Sequence, residues 1–259
     1  MSDVIIETAE ATRIVLINRP ESRNALSPPT LAALVAALRD AAADPAVRCI
    51  VIGGAGDHFS AGADLRKAML EDPDAAAHVE SALDAFHALV TAVVRCEKPT
   101  IAMMDGAAVG FGADLAFACD LRVASTRAYA QEKFVKIGLM PDGGGTFWLP
   151  RLVGTARAMQ MILLAERVDA PELHRLGVVA RMVEPSALRE ATMAVAREIA
   201  AGPPLAFAAI KRAIYASWGS IEDALRRERE GQLKLLRSAD VAEGVAAWAE
   251  KRAPRFEGR

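Results

Sequence analysis

Apolar and polar positions along the chain alternate between short strand-like runs and longer helical ones. Val4 to Thr8 and Ile14 to Asn18 read as two short strands, followed by a loop at Arg19-Pro20-Glu21-Ser22-Arg23-Asn24. Pro28-Pro29 opens a helix through Asp40, with Leu31, Leu34, Val35 and Leu38 on one face. Cys49 to Ile52 is a buried-type strand ended by Gly53-Gly54-Ala55-Gly56, Asp64 begins another helical stretch, and a longer helix occupies Ala75 to Arg95. Thr100 to Met104 is a strand running into glycine turns, with a short helix behind them at Ala113 to Cys119. Leu121 to Ala124 is a further strand and Ala156 to Ala165 is helical. From Pro204 the pattern is helical almost to the end, with charged faces around Glu222 to Glu230. The expected organisation is a strand-rich α/β core over residues 1–195 and a helical carboxy-terminal region over 196–259, without short-period repeats or low-complexity linkers.

Composition narrows the class. Of 259 residues, 53% are hydrophobic and 25% charged, which excludes a disordered chain and allows a sizeable core. A net charge of -2 gives no overall attraction to nucleic acid or to an anionic membrane, so neither partner is expected. Cys49, Cys96 and Cys119 are odd in number and lack metal or redox spacing, which favours reduced thiols and a cytoplasmic location. Met1-Ser2-Asp3-Val4 lacks the basic-then-apolar order of a secretory signal, and the apolar stretch Ile101 to Cys119 is interrupted by Asp105, Asp114 and glycines, unlike a membrane span.

Candidate chemistry centres on two aspartates in glycine-rich segments: Asp114 in Gly110-Phe111-Gly112-Ala113-Asp114-Leu115 and Asp142 in Pro141-Asp142-Gly143-Gly144-Gly145. Glycine lets backbone approach a ligand closely, and a carboxylate among apolar residues acquires a raised pKa suited to proton transfer. Each aspartate also has a plain structural reading. Asp142 fits a turn residue capping the next helix, and Asp114 fits a helix amino-terminal charge facing the macrodipole. His58, His78, His87 and His174 show no mutual metal spacing, Ser60 lacks a nucleophile elbow, and Asp64 fits a helix-start cap better than an acid catalyst. No metal or redox cofactor is expected.

Five segments occur in the order of a known family. These are Asn18-Arg19-Pro20, Phe59-Ser60-Ala61-Gly62-Ala63-Asp64-Leu65, Lys98-Pro99-Thr100-Ile101-Ala102, Gly110 to Asp120, and Ile137-Gly138-Leu139-Met140-Pro141. With them the chain resembles the crotonase, or enoyl-CoA hydratase/isomerase, superfamily over nearly its whole length. The resemblance implies an α/β spiral of β-β-α units with a carboxy-terminal helical region. It also implies homotrimers or dimers of trimers, and acyl-CoA thioesters as substrates, with coenzyme A as part of the substrate rather than a separate cofactor. Apolar Leu225, Leu233, Leu236, Val245 and Trp248 recur among charged positions of the last helices and would supply the assembly face.

By the same resemblance the backbone amides of Ala63 and Phe111 form an oxyanion hole, which lowers the barrier as the thioester oxygen gains charge. Arg23, Ala25, Ala61, Gly62, Asp64, Leu65, Gly110 and Phe134 fall at substrate-binding positions, with adenine near Arg23 to Leu26. Arg23, Lys251 and Arg252 are candidates for the coenzyme A phosphates, each equally readable as a solubilising charge. Hydratases of the family carry two glutamates, one at the position of Asp114 and one aligned with Phe134, so a two-glutamate hydratase is not expected. Glu132, two residues earlier, is expected to be solvated or salt-bridged. An acid at Asp142 resembles the dienoyl-CoA and ring-epoxide isomerases, as do Gly138 to Thr146, Leu149-Pro150-Arg151 and the tail from Ser238 to Gly258. The expected activity is isomerisation of an unsaturated acyl-CoA, with Asp142 as base and Asp114 as second acid or orienting group. The alternatives are an enoyl-CoA hydratase, a hydrolase or dehalogenase-like enzyme with a carboxylate nucleophile, and a non-catalytic acyl-CoA-binding or RNA-binding scaffold.

Overall fold

The structure is a computed structural model that describes residues 2–65, 74–216 and 221–259. A six-stranded sheet runs in the order β1-β2-β3-β4-β6-β9, formed by β1 (Val4–Ala9), β2 (Thr12–Ile17), β3 (Cys49–Gly54), β4 (Thr100–Met104), β6 (Leu121–Ser125) and β9 (Arg181–Val183). Only the β1–β2 hairpin is antiparallel; the later pairs are parallel. A second sheet, β5-β7-β8, comprises Ala107–Val109, Tyr129–Gln131 and Val168–Asp169.

The parallel strands read as continuous apolar runs because both faces of the larger sheet are covered. Alternate residues go to opposite faces. Ile14, Leu16, Val51, Ile101 and Val123 pack with Leu188, Met193 and Ala196 of α7 (Leu188–Ala200). Val15, Ile17, Ile50, Ile52 and Ala102 belong to the larger core, shared with α1 (Pro28–Ala43), α2 (Ala75–Arg95) and α3 (Phe111–Ala118). α1 begins at Ser27, whose hydroxyl accepts the N–H of Thr30, and it buries Leu31, Leu34 and Leu38, each worth about 1.5–3 kcal/mol against exposure.

The remaining helices are α4 (Gly145–Val153), α5 (Thr155–Leu163), α6 (Ala170–Arg175), α8 (Pro204–Ala216), α9 (Ile221–Leu235) and α10 (Ala239–Glu250). Long-range side-chain contacts hold this frame together. Lys98 Nζ donates to the carbonyls of Ala41 and Asp44, closing α1 onto β4. Asp120 accepts from Thr100 N (2.7 Å), Lys211 Nζ (2.8 Å) and Tyr215 Oη (2.9 Å), so the buried Lys211 pins α8 beneath α3. The tail returns to the body: Asp240 accepts the N–H groups of Glu257 and Gly258, and Arg48 donates to Phe256 O. Among the described residues no single helix is long and apolar enough to cross a membrane.

The helix assigned by periodicity to Ala113–Cys119 starts two residues earlier, at Phe111. This shift places the Phe111 N–H at the helix's first position, where it has no partner within the helix. The helical stretch expected from Asp64 lies outside the described residues beyond Leu65.

Candidate active site

Two backbone turns come together at the amino end of α3. Ser60 bridges Ala108, with Ser60 N–H donating to Ala107 O and Val109 N–H to Ser60 O, both at 2.9 Å. Gly62 lies beside Val109, at φ +87. A Cβ there would stand 2.5 Å from Val109 O and 3.2 Å from Phe111 N, so only glycine fits. On its other side the strand pairs with Leu26: Leu26 N–H donates to Gly62 O (2.8 Å) and Asp64 N–H to Leu26 O (2.9 Å). In such a parallel bridge the N–H of Ala63 points away from Leu26. Among the described residues neither Ala63 N–H nor Phe111 N–H has a hydrogen-bond acceptor. Two unspent donors on adjoining turns, one at a helix amino terminus, suit an oxygen that gains negative charge.

The loop from Arg23 to Leu26 is fixed against these turns by residues with no direct part in the chemistry. Arg23 and Asn24 both have positive φ, and the fully buried Asn24 spends its side chain on Arg19 N, Ala55 O and His58 O. Ser60 Oγ donates to Asn24 O and accepts from Gly62 N–H. Arg19 Nη1 donates to Ala25 O, and Arg19 Nη2 pairs with Asp64 at 2.8 Å. Asp64 is therefore an ion-pair partner that locks the loop. Arg23 is exposed and offers its carbonyl to Ala61 N–H, while Ala25 is buried and Leu65 exposed.

The carboxylates lie deeper. All eight residues of α3 are buried, and Asp114 is its only polar side chain. Burying a carboxylate is costly unless it is paired or protonated. Asp114 Oδ2 accepts Gly143 N–H at 2.8 Å, and the Gly145 N–H also bears on it, at the start of α4. These glycines are steric necessities. A Cβ at Gly143 would sit 2.6 Å from Asp114 Cβ, and one at Gly145 would sit 2.4 Å from Asp114 Oδ1 and 3.2 Å from Glu132 Oε1.

Glu132 corrects the sequence reading. Expected to be solvated or salt-bridged, it is 1% exposed, makes no ion pair among the described residues, and turns its carboxyl onto Asp114. Burial pushes Asp114 up to about 7, with the Asp142 charge adding to the rise and the Gly143 N–H opposing it. Burial, then the Asp114 charge, pushes Glu132 upward as well. Asp142 is half-buried, with Oδ1 enclosed and unpartnered; burial raises it, while the nearby His87 pulls it down. Its alternative reading as a helix cap fails, because Gly144 is the N-cap of α4 and no side chain caps that helix.

Phe134 is buried. Its ring lies 3.7 Å from the position of a Cβ on Gly110, itself at φ +53. Phe111 turns its ring into the core against Phe86, centroids 4.4 Å apart, leaving its N–H at the site. Arg252 is occupied by Glu243 and Glu250, which weakens its candidacy for phosphate. The three cysteines are free and buried, and burial pushes Cys49 and Cys119 up to about 12, so they are packing thiols. Among the described residues no cluster of His, Cys, Asp and Glu is arranged to hold a metal ion.

A sheet-and-helix frame thus sets two free amides at the amino end of α3, the helix that carries the buried Asp114. The chain belongs to the enoyl-CoA hydratase/isomerase family, whose sequence profile matches residues 7–259, and it has the crotonase fold. It is 40% identical over 255 residues to a Rhodobacter capsulatus protein named as a probable enoyl-CoA hydratase, covering 98% of this chain and 97% of that one. It is 33% identical to the 1,2-epoxyphenylacetyl-CoA isomerase of Escherichia coli, with both chains covered in full. The crystal structure of an enoyl-CoA hydratase from Polaromonas sp. JS666 superposes with a TM-score of 0.94 at 33% identity, covering 98% of this chain and 99% of that one.

Proposed function

We propose that this protein is an acyl-CoA isomerase that moves a double bond, or rearranges a conjugated ring, in an unsaturated thioester. One observation carries the reading: the Asp142 carboxylate stands in the glycine turn that meets Asp114, while Phe134, which the resemblance aligns with a second hydratase carboxylate, is a buried apolar ring. Asp142 removes a proton from the carbon chain, and the Ala63 and Phe111 amides hold the enolate oxygen. Asp142 then returns the proton at another carbon. Asp114 orients or assists, and the Phe134 ring packs on the acyl group and keeps water away. Gly110 and the segment Ala61-Gly62 shape the path of the thioester, and the loop Arg23 to Leu26 receives the coenzyme A end. No separate cofactor enters.

Hydration is the second reading, favoured by the Rhodobacter relative's name and by Glu132, which adds a carboxyl to the site. Nuclear magnetic resonance of products from a panel of aliphatic and cyclic enoyl-CoA thioesters separates the two. A relocated vinyl group without a carbinol carbon supports isomerisation, whereas a carbinol carbon supports the hydratase.

Because the amides address a thioester oxygen, an acyl-CoA is expected to bind more tightly than the matching free acid. Calorimetry that finds equal, negligible binding of several acyl-CoA esters would remove the acyl-CoA site. The assembly proposed is a trimer or a dimer of trimers in the cytoplasm. Leu225 and Leu233 are exposed on α9, Leu236 in the turn just after it and Val245 on α10, and the side chain of Trp248 is outside the described set. Light scattering is expected to give three or six times the chain mass, and a monomer at working concentration would contradict it.

A further inference from the structure

Glu132 takes no part in the mechanism above, yet it is buried against Asp114 with neither carboxyl oxygen accepting from a donor among the described residues. The two groups are unequal. Asp114 is held by backbone N–H groups from the glycine turn, Gly143 at 2.8 Å, and has one remaining unpartnered oxygen, Oδ1. Glu132 has no such donor. Oδ1 of Asp114 and Oε1 of Glu132 both crowd the same point beside Gly145.

We propose that Glu132 is a positioning residue that holds one proton between itself and Asp114, so that the pair carries a single negative charge borne by Asp114. A carboxylate without donors in a dry site, beside a second carboxylate, retains its proton, and the O–H so formed has an acceptor at hand in Asp114 Oδ1. Burial raises both acids, but the Gly143 N–H and the hydrogen bond from Glu132 pull Asp114 back down, whereas every group bearing on Glu132 raises it further, so Glu132 is the one that keeps the proton. The titratable groups bearing on Glu132 are Asp114 from α3 and Asp142 from the glycine turn; His87 of α2 stands beyond, acting on Asp142, and no Lys or Arg bears on it among the described residues. A neutral Glu132 leaves Asp142 facing one negative charge instead of two, which keeps its ionisation attainable near neutrality. This inference rests on the proposed role of Asp142 as base.

The test compares the parent with Glu132→Gln, which keeps a donor for Asp114 but has no proton to lose, and with Glu132→Leu, which removes the donor. Infrared spectra at neutral pH are expected to show a protonated-carboxyl stretch in the parent that disappears in Glu132→Gln. In isomerase assays, kcat/KM of Glu132→Gln is expected within about threefold of the parent, without the parent's alkaline limb. Glu132→Leu is expected to lose roughly ten- to hundredfold, mainly in kcat. A protonated-carboxyl band unchanged in Glu132→Gln, or an identical alkaline limb in both proteins, overturns the assignment. The infrared readout requires no turnover, so failure of every thioester to react would sink the isomerase reading while the shared proton is still decided.

Discussion

Asp142→Asn is expected to lower isomerisation by roughly two to four orders of magnitude, the usual span for removing a general acid–base group. The amide keeps the shape of the side chain in the Pro141 to Gly145 turn but cannot take a proton. Asp142 caps no helix, so loss of the carboxylate has little structural consequence to confuse the result. Asp114→Asn is expected to cost less if that group, as proposed, only orients or assists. The pH profile carries the same assignment. Burial raises Asp142, so its base form accumulates at higher pH than in a free aspartate, and kcat/KM rises through a limb displaced upward. That limb is expected to vanish in Asp142→Asn. Near-normal isomerisation in Asp142→Asn, with enoyl-CoA hydration abolished in Asp114→Asn, would transfer the chemistry to a hydratase.

Gly62→Ala is the second large effect. The added methyl would need to occupy space 2.5 Å from Val109 O and 3.2 Å from Phe111 N, at a φ of +87 that disfavours a side chain. The strand carrying Ala63 must therefore move away from the amino end of α3, and the two amides no longer address one oxygen. Loss of oxyanion stabilisation is worth roughly 10²–10³ in kcat. The backbone strain adds about 1–3 kcal/mol of destabilisation, which denaturant unfolding measures separately. A variant that unfolds at a lower denaturant concentration but keeps full kcat when folded would show that the amide pair does not hold the thioester oxygen.

Much of this architecture was legible in the chain. The helix Ala75–Arg95 and the strand Thr100–Met104 have the bounds that periodicity assigns, because long amphipathic or continuous apolar runs leave little choice. The short strands Ala107–Val109, Tyr129–Gln131 and Val168–Asp169 escaped, since two or three residues carry no period; their pairing comes from neighbours distant in sequence. Asp114 and Asp142 were visible through their glycines, of which Gly143 and Gly145 leave the space that the Asp114 side chain occupies. Glu132 was not. In Gln131-Glu132-Lys133 it reads as a solvated acid, and only the fold brings it beneath Asp114 and Gly145. The ion pair of Asp64 with Arg19 was equally out of reach, because the partners lie 45 positions apart in the chain.

Turnover of enoyl-CoA thioesters in heavy-oxygen water, followed by mass spectrometry, separates isomerisation from hydration in one measurement. If Asp142 moves the proton and Phe134 keeps water from the acyl group, as proposed, the product has the mass of the substrate and carries no label. A product heavier by one labelled water would contradict the account and make the enzyme a hydratase.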